Sequence, residues 1–205
     1  MRIWKIKYFL LTITDRITNY FLVQKYPWLR PITWATNEKG EYIEIRDPNY
    51  HYERINIFNN IPGWWKAFGK IFCDEIQEHY DECPNMYILE TKEKYGALRI
   101  SFCYSNEAID RICDKYEHIS QNICYFCGRE APMTNAGWLL PICPYCYKKE
   151  KWANKPYKDV VCKGDTGKMR ETYTIRQSSE GGSKDTIYDI SDTVKKIRAK
   201  CAKNR

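Results

Sequence analysis

Two cysteine pairs, Cys124-Tyr125-Phe126-Cys127 and Cys143-Pro144-Tyr145-Cys146, stand 15 residues apart in a chain of 205. A Cys-x-x-Cys turn aims both of its sulfurs at one point. A spacer of this length folds back as a hairpin and brings the second pair opposite the first. The chemistry predicted is metal ligation by four thiolates, and soft sulfur donors select Zn²⁺ over hard, oxygen-seeking cations. With Cys124, Cys127, Cys143 and Cys146 all ligating, no position stays open for water, so one structural zinc per chain is expected. Gly128, directly after the first pair, helps the backbone turn toward the sulfurs. Cys73, Cys83, Cys103, Cys113, Cys162 and Cys201 lie singly and read as ordinary thiols.

Other chemistry is poorly represented. The three histidines, His51, His79 and His118, stand at no catalytic spacing. Asp74, Glu75, Glu78, Asp81 and Glu82 cluster, but on a helical pattern they read as its solvated face. There is no phosphate-cradling glycine loop, nucleophile elbow or zinc-protease motif. The expectation is a protein that is not an enzyme.

The elements that would position the cysteines follow from periodicity. Ile3, Ile6, Leu10, Ile13, Ile17 and Tyr20 recur at helical spacing, giving an amphipathic helix over 3–23 that the Pro27 and Pro31 region ends. Asn37-Glu38-Lys39-Gly40 reads as a turn before a short strand at Tyr42, Ile43 and Ile45. Residues 46–60 read as irregular. A second helix starts after Pro62-Gly63, with Trp64, Phe68, Ile71, Phe72, Ile76 and Tyr80 on one stripe. Residues 86–103 alternate as a hairpin turning at Lys94-Tyr95-Gly96. A third helix over 107–121, capped by Ser105 or Asn106, leads directly into the cysteine module. Beyond it come a weak strand at Thr172–Ile175, a linker-like Ser178–Ser183 and a basic helix over 189–202.

The fold class expected is α+β: helices on a small antiparallel sheet, with a zinc-ribbon-like hairpin inserted after the third helix. The division is a core over 1–123, the cysteine module over 124–147 and a basic extension over 148–205. Charge draws that last boundary. The chain carries a net +7, yet residues 1–147 hold 17 basic against 18 acidic residues and residues 148–205 hold 16 against 8. A tail with that excess attracts phosphate-rich or acidic partners, or is simply solvated. No secretory signal or membrane-length apolar run is visible, which fits a reducing cytoplasm where paired cysteines bind metal.

Several stretches together resemble an uncharacterised family of zinc-ribbon-containing proteins from bacteriophages and prophages. They are the Tyr26–Pro31 run, Ile61-Pro62-Gly63-Trp64-Trp65-Lys66-Ala67-Phe68-Gly69, Lys92–Arg99, and Tyr116–Ser120 leading into the cysteines, with Gly137-Trp138 between the pairs. The resemblance covers residues 24–148. The chain departs from it at Ala97, where relatives often carry glycine, and at Tyr95, where they often carry phenylalanine. It implies an accessory protein acting inside a bacterial host cell, with no activity attached. On that basis the expected partner is a host or phage protein, as for an inhibitor of bacterial defence, met by the hairpin residues Lys92, Lys94, Tyr95 and Arg99. The alternative is nucleic-acid binding through Lys148, Lys149, Lys151, Lys155 and Lys158, interleaved with Tyr147, Trp152 and Tyr157 for stacking.

Overall fold

The computed structural model describes residues 20–30, 32–46, 61–179 and 182–203. The amphipathic helix expected over 3–23 therefore lies mostly outside the described residues. Its end is helical over 20–25, where Val23 and Tyr26 are buried but Tyr20, assigned by spacing to the apolar stripe, is exposed. A short 3-10 turn, Pro27–Leu29, follows. Strands β1 (Ile32–Thr36) and β2 (Tyr42–Arg46) form a hairpin whose turn is tied by the Asn37 carboxamide oxygen, which accepts from Lys39 and Glu41 N–H at 2.9 Å.

One continuous helix, α1, runs over 62–78. It is α-helical at Pro62–Trp64, π-helical over Trp65–Gly69 and α-helical again over Lys70–Glu78. The widened stretch has one close internal contact. The Trp65 ring lies against Gly69, where a Cβ would stand 2.1 Å from the ring. Trp64, Phe68, Phe72 and Ile76 are fully buried, as the stripe predicts. The acidic face is not simply solvated. The Asp74 carboxylate accepts from Lys25 Nζ at 2.5 Å, Tyr26 Oη at 2.6 Å and Lys70 Nζ at 2.8 Å, and Glu75 pairs with Lys115 between helices.

Strands β3 (Tyr87–Lys94) and β4 (Ala97–Cys103) pair antiparallel with a bulge between Ile88 and Glu90. Helix α2 (Glu107–Ser120) begins at Asn106, whose side chain accepts from Ile109 N–H at 3.0 Å, and Glu107 and Asp110 favour its positive N-terminus. Its stripe of Ile109, Ile112, Tyr116 and Ile119 is buried. Next come β5 (Met133–Asn135), β6 (Leu139–Pro141), α3 (Pro144–Lys149) and α4 (Tyr157–Val160). The chain ends in a hairpin of β7 (Thr172–Ser179) and β8 (Gly182–Asp189), then α5 (Ser191–Lys203).

The architecture is α+β, with helices beside four two-stranded antiparallel sheets among the described residues. One core joins α1, α2, the β3–β4 sheet and the C-terminal hairpin and helix. Trp28 sits within it, edge-on to Phe72 and Phe102 with ring centroids 6.4 and 5.6 Å apart.

The C-terminal region corrects one expectation and bears out another, the helix over 189–202, which is found at Ser191–Lys203. The stretch expected as a linker holds strand residues instead: the strand begun at Thr172 runs on to Ser179 and pairs with β8, which begins at Gly182. Arg176 and Asp185 face each other there in a two-pronged ion pair at 2.8 and 3.0 Å. The polar, glycine-bearing composition at the tip resembles a linker because hairpin turns use the same residues. Helix α5, for its part, buries Val194 and Ile197 in the main core. The charge boundary at residue 148 is thus crossed by packing. Among the described residues, no helix is long and apolar enough to cross a membrane.

Candidate metal centre

Helix α2 delivers Cys124 within four residues of its end. The first cysteine turn is closed by Gly128 N–H donating to the Cys124 carbonyl at 3.0 Å and by Cys124 N–H donating to the Arg129 carbonyl at 2.7 Å. Gly128 holds φ +78°, the left-handed conformation such a turn requires. The spacer forms the expected hairpin, β5 with β6. Tyr125 N–H then binds the Pro141 carbonyl at 2.8 Å, laying the first turn beside the end of β6. Cys143 caps α3, with Pro144 in the first helical position and the Cys143 sulfur accepting from Cys146 N–H at 3.4 Å.

The four sulfurs lie within 4.8 Å of one another. Cys127 Sγ and Cys143 Sγ are 3.7 Å apart. A regular tetrahedron with metal–sulfur arms of about 2.3 Å has edges of about 3.8 Å. The spacing is far beyond the roughly 2.05 Å of a disulfide, and all ten cysteines are free thiols. The group is suited to hold one thiophilic metal ion.

Donors around the sulfurs fit that role. Cys143 N–H points at Cys124 Sγ at 3.4 Å. Arg129 donates through Nε to Cys127 Sγ at 3.4 Å and through its terminal nitrogen to Cys143 Sγ at 3.7 Å. Its guanidinium is held over the Tyr145 ring, 5.1 Å from the centroid. Four thiolates around a divalent ion leave a double negative charge, which these donors spread. Hydrogen bonds from Cys124 and Cys143 hold Cys127 far below the ordinary thiol range, while its hydrogen bond to Cys127 raises Cys124. Metal binding therefore releases protons, and acid competes with it.

Three parts of the fold clamp the module. The first turn of α1 docks on the first cysteine turn: Gly63 N–H donates to the Tyr125 carbonyl at 2.9 Å, and a Cβ on Gly63 would fall 2.1 Å from the Cys124 carbonyl oxygen. The buried Trp64 indole donates to the Ile123 carbonyl at 2.8 Å. The β3–β4 tip forms a second wall, with Gly96 against Met133 and Glu93 accepting from Trp138 Nε1 at 2.9 Å. Residues after α3 form the third. Thr134 bridges to Val161, and Asp165 accepts from Met133 N–H and Gly167 N–H, both at 2.8 Å. Two neighbouring clefts open beside the sulfurs, of about 500 and 620 Å³, sharing Arg129, Tyr145 and Cys201.

The four expected ligands are thus brought together. The other expected binding residues divide into two groups. Lys92, Lys94, Tyr95 and Arg99 lie on the β3–β4 hairpin, where Lys92 pairs with Glu90 and Arg99 with Glu117. Lys148, Lys149 and Lys151 are exposed on and after α3, but the interleaved aromatics turn inward. Tyr147 is buried, Trp152 packs edge-on to Phe126 at 5.8 Å, and Tyr157 donates to the Ile142 carbonyl at 2.8 Å. These rings form the module's own small core instead of a stacking platform. Spacing alone missed Arg129 and Trp138. A cation two residues past a ligand cysteine, and an aromatic after the spacer's glycine, were the available signals. No protein-family model, curated protein or solved structure matches the chain.

Proposed function

We propose that this chain is a non-catalytic binding protein stapled by one structural zinc, a phage-type accessory factor that engages a host macromolecule in the bacterial cytoplasm, for example to inhibit a defence system. The observation that carries the non-catalytic reading is the closed cluster: Cys124, Cys127, Cys143 and Cys146 supply all four positions a tetrahedral ion uses. A closed thiolate site fixes structure and activates no water. The two adjoining clefts carry no histidine, and their one carboxylate, Glu130, is paired with Arg198. All-sulfur ligation favours zinc among the abundant divalent ions. The phage setting rests on the family resemblance alone. Affinity purification of the tagged, zinc-loaded chain from bacterial cells tests the reading. It should retain one host protein in stoichiometric amount; recovery of chaperones alone would count against it.

A second reading, nucleic-acid binding through residues 148–205, draws on their net charge of +8 and the exposed Lys148, Lys149, Lys151, Lys155 and Lys158. It expects association with generic DNA or RNA that falls steeply with salt. The burial of Tyr147 and the partial burial of Trp152 in the module's own core weigh against its stacking component. Absence of binding at low salt would end it.

A further inference from the structure

The tips of two hairpins meet beside the cysteine module. The β3–β4 turn has φ +54° at Tyr95 and φ +78° at Gly96, the pattern of a two-residue turn in which both central residues are left-handed. Asn-Gly is the pair such a turn favours, because bulky L-residues are strained there. Tyrosine nevertheless occupies the first position, with 72% of its surface exposed, so burial does not offset the strain. Strain kept at an exposed residue points to a use outside the fold.

The second tip carries another open ring. Trp138 is 58% exposed. Its indole nitrogen donates to Glu93 Oε2 at 2.9 Å, while Glu93 Oε1 accepts from Gly96 N–H at 2.6 Å. One carboxylate therefore locks both tips together. Gly96 holds φ +78°, which favours glycine, and packs against the end of the Met133 side chain. The Trp138 ring is held by its hydrogen bond to Glu93, and ordering it on binding costs little entropy.

Charge indicates the partner. Glu90 pairs with Lys92, Arg99 with Glu117, and Glu93 is occupied by the two N–H groups. Lys94, with its ammonium 5.7 Å from the Tyr95 ring centroid, has no carboxylate partner among the described residues. A single uncommitted cation is too few for a nucleic-acid backbone, where affinity comes from neutralising several phosphates. Exposed Trp and Tyr are instead the anchors of protein interfaces.

We propose that Tyr95, Trp138 and Lys94 form one docking surface for a protein segment that presents a large apolar side chain beside Asp or Glu. The apolar group lies on the two rings and the carboxylate meets Lys94. This deepens the binding reading above and rests on it.

The test uses the zinc-loaded full chain to select from a displayed library of random peptides, alongside the variants Tyr95→Asn, Trp138→Ala and Lys94→Glu. Enriched peptides should pair an acidic residue with a large apolar one, and each variant should bind them at least about tenfold more weakly. Tyr95→Asn should melt at or above the wild-type temperature, since it relieves the turn. A lower melting temperature would make Tyr95 a folding residue and overturn the proposal. Enrichment that ignores the variants would leave a binding protein whose surface lies elsewhere. No enrichment at all would remove this surface and weigh against the binding reading too. Retention of oligothymidylate, or self-association, that the same variants abolish would assign the surface to nucleic acid or to a second copy, and would overturn the protein-segment proposal.

Discussion

At the scale of single residues, one tight constraint lies where Gly128 meets Gly63. Gly128 has φ +78°, and a Cβ there would stand 2.5 Å from the Gly63 carbonyl oxygen. Gly128→Ala adds a left-handed conformational cost of about 1–2 kcal/mol to a backbone clash, so a loss near 3 kcal/mol is expected by denaturant titration, with weaker metal retention. A second prediction concerns acid. Burial pushes the Asp74 carboxyl up, but hydrogen bonds from Lys25, Lys70 and Tyr26 outweigh it and hold the group well below the usual carboxylate range. A depressed folded value contributes stability that is present above about pH 4 and is lost as pH falls toward that folded value. The stability difference between wild type and Asp74→Asn should therefore shrink below about pH 4. A difference unchanged down to pH 2 would contradict it. The ligand cysteines were legible because their spacing alone encodes the geometry. Arg129 was not, since its role depends on where Tyr145 and two sulfurs stand in space.

Elements built on a strong period were read well, and those shaped by long-range contacts were not. Helix α2 matches its predicted span and cap because apolar spacing and Asn106 are local signals. The π-helical stretch of α1, within which the Trp65 ring lies on Gly69, leaves no mark on the apolar period and was not legible. Strand β7 was under-read because its outer half is polar and is specified by pairs such as Arg176 with Asp185 across the hairpin. Helix α5 was read as a basic helix, but its inward face was missed. Ile197 is fully buried whereas the adjacent Lys196 is exposed. Ile197→Ala should cost about 2–5 kcal/mol, by transfer and cavity terms, and Lys196→Ala under about 0.5 kcal/mol. Equal, small effects from both in thermal or denaturant unfolding would mean that α5 is a solvated tail after all.

In the whole molecule, the cysteine module is a clamp point for distant parts of the chain. The N-terminus of α1, the β3–β4 tip and residues after α3 converge on it, and Cys201 of α5 donates to the Gly128 carbonyl at 3.2 Å. The charge step at residue 148 was legible from counting, but charge says nothing of packing, and the core runs across it. Structural zinc in comparable sites contributes on the order of 10–16 kcal/mol of binding free energy near neutral pH. Removing one ligand here should unfold residues 124–146 and loosen the three elements docked on them. The most direct test is elemental analysis of the reduced, natively purified chain. One zinc per chain is expected, held at neutral pH and lost in Cys143→Ser; natively purified protein that folds and carries no zinc would rule the site out.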